Sequence, residues 1–295
     1  MLAIGGAVMS REDIGRDRYV SLYPIHPFGA AQGDLPKARP EDLAETAHLR
    51  FDPISACNAR CVFCHSDFSH AVKHLTLDDL GAVAAVPMPK LHTIAVGCAY
   101  EPLMGKFFET YPSVLQSFRG QAKARIITNG ALLHRRDIGP WVEFGLEYLH
   151  VSLHSHIPEV YERTMANGMR FDRIVRNLAE IRARFPGVRV LFVNVICKLN
   201  DEDVGGYCRW AFEEIGADQI VLFRAVLADA IQSRAPAFAF ARQYLAEQGR
   251  GGALTDEEWG AVVRDCAPFL QGAVASELPE LGASISTLTM DRPTP

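Results

Sequence analysis

The chain has 295 residues, 48% hydrophobic and 22% charged, with 35 acidic against 30 basic side chains and a net charge of -5. That balance belongs to a soluble globular protein of one large α/β domain or two smaller ones, and it excludes a disordered chain. The acidic excess argues against nucleic acid as a partner, because holding phosphates needs surplus Lys and Arg; no run approaches the roughly 20 apolar residues of a membrane span.

The apolar opening, Met1 to Met9, has no basic residue before it and is too short to span a bilayer. No targeting signal is read, Met9 is a second candidate start, and the cytoplasm is the expected location. Residues 1–47, rich in Pro and Gly, read as an irregular arm. From 48 to 231, short β-branched runs alternate with longer helical ones, as in a parallel sheet with crossover helices. Six strands are expected: Leu49 to Ile54, Leu91 to Val96, Ala124 to Ile127, Tyr148 to Leu153, Val188 to Ile196 and Gln219 to Phe223. Helical spacing links Leu103, Phe107, Tyr111, Val114, Leu115 and Phe118 in one stripe, and Ile174, Leu178, Ile181 and Phe185 in another. Thr76 with Asp79 forms a capping-box pair, and Asn200, Asp201 and Asp203 open the helix after the fifth strand. Residues 232–295 are expected to add a C-terminal helical extension, with helices near 238–247 and 256–274 and a frayed tail from Asp291.

Seven cysteines do not form the evenly spread pairs of a secreted disulfide scaffold, since Cys57, Cys61 and Cys64 crowd into eight positions directly after the first strand. Three thiolates on one loop can grip a metal centre. Zinc would need His65 as a fourth ligand, an awkward neighbour of Cys64. On a four-iron cluster, three thiolates leave one iron open to a ligand.

The Cys57, Cys61, Cys64 spacing, followed along the chain by Glu101-Pro102 and polar residues at later strand ends, resembles the radical S-adenosylmethionine (radical SAM) superfamily over roughly residues 49–226. That resemblance implies an α/β fold, a partial (β/α)6 TIM-like barrel. It also implies one 4Fe-4S cluster on Cys57, Cys61 and Cys64, with S-adenosyl-L-methionine on the open iron. By the same resemblance Phe63 packs near adenine. Gly97-Cys-Ala-Tyr-Glu101-Pro102 is similar to a Gly-Gly-Glu-Pro motif that meets the cofactor's amino group, with two residues inserted before Glu101; on residue type alone a Glu-Pro pair is a helix start. The resemblance further implies that Thr128 and Asn129, before Gly130, line the cofactor pocket, that Ser152 binds its carboxylate or ribose, and that Asn194 stands near the ribose. Arg224 could reach a carboxylate.

His154, where many members carry an acid, either touches substrate or is a satisfied histidine. Cys98 and Cys197 are candidates to return a hydrogen atom to a substrate radical, against the plainer role of small buried hydrophobes. The remaining cysteines stand singly, so a single cluster is expected. This leaves epimerisation, decarboxylation, elimination or rearrangement of a small molecule: a sugar, nucleoside or amino-acid derivative of natural-product type. An electron donor such as flavodoxin or ferredoxin is implied. A peptide substrate is the alternative, and a non-catalytic iron-sulfur or zinc protein the alternative of another class.

Overall fold

The structure is a computed structural model that describes residues 7–8, 18–22, 44–64, 71–97, 99–225, 254–269 and 287–291. Its strands are β1 (Ala7–Val8), β2 (Arg18–Leu22), β3 (Thr46–Phe51), β4 (Thr93–Val96), β5 (Lys123–Thr128), β6 (Leu146–Ser152), β7 (Arg189–Ile196), β8 (Gln219–Arg224) and β9 (Thr287–Asp291). They follow one another through one sheet in chain order. The six expected strands are β3 to β8. Parallel ladders join β2 to β3, β3 to β4, β4 to β5 and β7 to β8. Along β5, β6 and β8, buried residues alternate with half-buried or exposed ones.

The described helices are α1 (Leu77–Ala84), α2 (Tyr111–Val114), α3 (Gly139–Phe144), α4 (Pro158–Met165), α5 (Phe171–Arg184), α6 (Val204–Trp210) and α7 (Asp256–Asp265). The capping box on α1 is present, with Thr76 Oγ1 accepting from the Asp79 N–H at 3.0 Å. Asp203 caps α6, while Asn200 turns to other work described below. The stripe expected as one helix over 103–118 is broken into a 3₁₀ turn at Pro102–Met104, the short α2, and a 3₁₀ turn at Gln116–Phe118. Pro102 and Pro112 bring no N–H, and a Cβ on Gly105 would stand 2.5 Å from Pro53 Cβ, so the chain is pressed too close for a regular helix. Phe108, not Phe107, takes the buried position.

Two further expectations are corrected. The arm is not wholly irregular: β1 and β2 lie in it, β1 antiparallel to β2, and the first core strand begins at Thr46 and ends before Asp52-Pro53. The C-terminal extension is not wholly helical. Its α7 is followed by a 3₁₀ turn at Ala267–Phe269, and β9 pairs antiparallel with β8, covering an edge whose N–H and C=O groups would otherwise face outward. The helix expected at 238–247 lies outside the described residues.

The chain divides into two compact units, one of residues 1–58, 65–128 and 132–149, the other of 59–64, 129–131 and 150–295. In the first, Trp141 is fully buried among Phe51, Phe108 and Phe144, and its indole N–H donates to the Phe108 carbonyl at 3.0 Å. In the second, Ile174, Leu178 and Ile181 of α5 are buried as their spacing predicts, and Phe192 stacks on Trp210.

Candidate active site

Residues that follow parallel strands gather at the strands' C-terminal ends, where barrel chemistry is carried. In the first unit the site is built at the ends of β3, β4 and β5. Glu101 is 2% exposed, and its Oε1 accepts from the Thr128 hydroxyl at 2.6 Å and the Leu103 N–H at 3.1 Å. It is therefore both a cap of the Pro102 turn, as its residue type suggests, and a buried carboxylate tied to the end of β5. Gly97 sits at φ +83°, and a Cβ there would lie 2.4 Å from the Ile127 carbonyl and 2.7 Å from Pro102 Cγ, so only glycine fits. The Glu101 N–H donates to the carbonyl of Ala56, the residue before Cys57.

In the second unit, residues 59–64 carry Cys61, Phe63 and Cys64. The segment is pinned to the end of α4 by Arg60 N–H to Met165 O and Val62 N–H to Thr164 O, both 3.0 Å. The Cys61 thiol donates to Met165 Sδ at 3.5 Å, and the Cys64 N–H closes a turn on Cys61 O. Phe63 packs against a buried cluster of Val62, Cys197, Leu199 and Ala225 and meets the His154 ring edge to face at 4.6 Å. Asn129 Oδ1 accepts from Ala131 N–H, Gly130 takes φ +75°, and Asn177 of α5 donates to the carbonyls of Gly130 and Ala131. The expected Thr-Asn-Gly turn is thus held by a residue not singled out from the sequence; its signal was one polar side chain on the apolar face of α5. Ser152 ends β6 half-buried.

His154 is 2% exposed, and Nδ1 accepts the Val195 N–H at 3.0 Å. Burial lowers its pKa to about 3, against a smaller raising effect of the Asn194 side chain, so the ring is neutral. Around it Asn200 bonds four ways: its amide donates to His154 O (2.6 Å), Asn194 Oδ1 (3.1 Å) and Val195 O (2.9 Å), and its Oδ1 accepts from Cys197 N–H (2.8 Å). The Asn194 oxygen accepts from Asn200.

Arg224 stands at the end of β8. Its guanidinium donates to Leu254 O (Nε, 3.0 Å) and pairs with Asp256 (2.6 Å), anchoring the start of α7. The Cys197 thiol, buried in its apolar cluster, is pushed up to about 11, chiefly by desolvation, so it stays protonated. Cys208 and Cys266 face each other, buried, with sulfurs 3.9 Å apart. Cys98 and His65 lie outside the described residues.

Cys57, Cys61 and Cys64 are outside any disulfide and partly exposed. Among the described residues no three His, Cys, Asp or Glu side chains are placed to hold a metal ion. Thiolates on a cubane stand on separate iron corners instead of converging on one ion, and three soft sulfur donors suit a cluster that keeps one iron open. The donor set fits.

Residues 52–211, more than half of the chain, match the Radical SAM superfamily. The chain belongs to the radical SAM superfamily. A GTP 3',8-cyclase of Actinobacillus succinogenes is 28% identical over 173 residues, 55% of this chain and 49% of that protein, so the chain spans about half the length of this curated relative. Coproporphyrinogen III oxidase (HemN) from Escherichia coli, described as a radical SAM enzyme, superposes with a TM-score of 0.53 at 14% identity, over 84% of this chain and 56% of that one. Streptococcus suis SuiB bound to precursor peptide SuiA superposes with a TM-score of 0.50 at 14% identity, over 70% and 47%. The fold class is the one expected, a partial (β/α)6 barrel with six parallel strands. Radical SAM proteins are enzymes that use a 4Fe-4S cluster and S-adenosylmethionine and need an electron donor. Among the described residues, no helix is long and apolar enough to cross a membrane.

Proposed function

We propose that this chain is a radical SAM enzyme acting on a small molecule, with its barrel core over 48–231 and its cluster on Cys57, Cys61 and Cys64. The observation that carries the reading is the buried Glu101 carboxylate at the end of β4, fixed by Thr128 and tied through its backbone to the residue before Cys57. Cys57, Cys61 and Cys64 would hold the cluster, which would supply the one-electron reduction of S-adenosylmethionine that leads to hydrogen-atom abstraction from substrate. The chain's own part is positional. Glu101 offers a desolvated acceptor to the cofactor's ammonium, a charge-assisted bond of the stronger kind. Phe63, held by His154 and the Val62 cluster, offers a flat apolar face to adenine. Gly97, Pro102 and Thr128 of the first unit, and Asn129, Ser152 and Asn194 of the second, are the further residues proposed to meet the cofactor. The protonated Cys197 thiol has a hydrogen atom to give, and Cys98 is the other cysteine in that role. Kinship with a GTP cyclase supports the nucleoside among the substrate classes named above. A flavodoxin or ferredoxin in the cytoplasm is the proposed electron source.

Anaerobically reconstituted and reduced, the protein should release 5'-deoxyadenosine from S-adenosylmethionine. Cys61→Ala should lose the brown cluster and this cleavage together, whereas Cys208→Ala should keep both. A full complement of iron in the Cys61→Ala chain would overturn the ligand assignment. A nucleoside panel and a peptide panel, scored by deuterium transfer from substrate into 5'-deoxyadenosine, then separate the substrate classes.

A further inference from the structure

The turn that presents Glu101 is two residues longer than the motif it resembles, and a longer turn has more ways to miss its target. Two features close it. At its neck Gly97 abuts Pro102, and the Gly97 N–H donates to Phe51 O at 2.9 Å. Inside it sits Asp52, the residue directly after β3, fully buried. Its carboxylate takes the Ala99 N–H (3.3 Å to each oxygen) and the Tyr100 N–H (3.2 Å). A buried carboxylate costs several kcal/mol unless hydrogen bonds replace its water. An apolar strand end has no reason to carry one unless the bonds it makes are wanted. Those bonds fall on the two residues preceding Glu101, whose own N–H then reaches Ala56.

We propose that Asp52 is a positioning residue for the cofactor carboxylate: it draws residues 99 and 100 inward and so sets Glu101 against Thr128, in register with the start of the cysteine loop. This rests on the reading of Glu101 as the group that meets the cofactor's ammonium. Asp52 touches neither cluster nor cofactor in this role. It removes the freedom of the lengthened turn before the cofactor arrives, which raises affinity by lowering the ordering cost of binding.

The test is S-adenosylmethionine affinity of the anaerobically reconstituted full chain, measured by equilibrium dialysis, with iron content and thermal midpoint recorded beside it. Asp52→Ala should weaken binding about tenfold and Asp52→Asn, which keeps an acceptor oxygen but no charge, about threefold, both at wild-type iron content. In the cycle with Glu101→Gln, the double variant Asp52→Ala/Glu101→Gln should bind little worse than Glu101→Gln alone, because Asp52 acts through Glu101. Wild-type affinity for Asp52→Ala, or losses that simply add, would overturn the inference. Should Asp52→Ala fail to fold or to take up iron, Asp52→Asn decides by the same cycle, and its wild-type affinity overturns it. A Glu101→Gln chain that binds normally would instead bring down the reading of Glu101 and the inference with it.

Discussion

His154 lies buried after the end of β6. Buried and neutral, it accepts one backbone N–H and braces Phe63, and its pKa of about 3 in place of 6.5 has a consequence for stability. Between those two values the unfolded chain holds a proton that the folded chain refuses, so folding stability is whole above pH about 6.5 and falls as the pH drops toward 3, by up to about 1.4 kcal/mol per unit. His154→Asn keeps an acceptor for the Val195 N–H and removes the titrating ring. From pH 8 to 5.5 the wild type should lose about 1.4 kcal/mol more than this variant in urea unfolding. Equal pH profiles would mean that the ring is not held neutral by burial. Asn200 carries the same lesson: its residue type pointed to a helix start, and its four bonds instead lace the ends of β6 and β7 together.

At the scale of elements, what presents the site is a set of turns held from outside. The turn after β4 depends on Gly97, whose φ of +83° is strained for other residues and whose missing Cβ leaves room for Ile127 O and Pro102. Gly97→Ala should destabilise the protein by about 2–4 kcal/mol, read as a shift in denaturation midpoint at constant slope, and weaken S-adenosylmethionine binding in step. An unchanged midpoint would show that the neck of the turn relaxes freely. The segment from Pro102 to Phe118 has the apolar spacing of a helix, yet prolines and the close approach at Gly105 break it; periodicity reports which side chains are buried more faithfully than how the backbone buries them. In the C-terminal part, Arg224, Lys198 and the Gly205 N–H pair with Asp256, Glu258 and Asp265, so α7 is tied to the ends of β7 and β8 and to α6 by charge.

For the molecule as a whole, the order of parallel strands was readable because each strand buries alternate residues and each crossover brings its own apolar stripe. Trp141 shows what that burial supports: Trp141→Ala empties the ring cluster of Phe51, Phe108 and Phe144 and should cost about 3–5 kcal/mol in chemical denaturation, whereas a loss under 1 kcal/mol would mean the core refills. The cysteine triplet, the strand count and the Glu-Pro pair were legible because they are local: spacing along a chain survives without the fold. Strands β1, β2 and β9 were not, since a short strand in a Pro-rich or terminal segment is stabilised by its neighbour's unpaired edge and not by its own pattern. The same holds for side chains. The sequence by itself determined the family chemistry and the residues able to bear it. Only the tertiary structure decided that Arg224 pairs with Asp256, that His154 accepts from Val195 and that Asp52 accepts from the turn before Glu101, because a hydrogen bond depends on which strand ends meet, and those ends are dozens of residues apart.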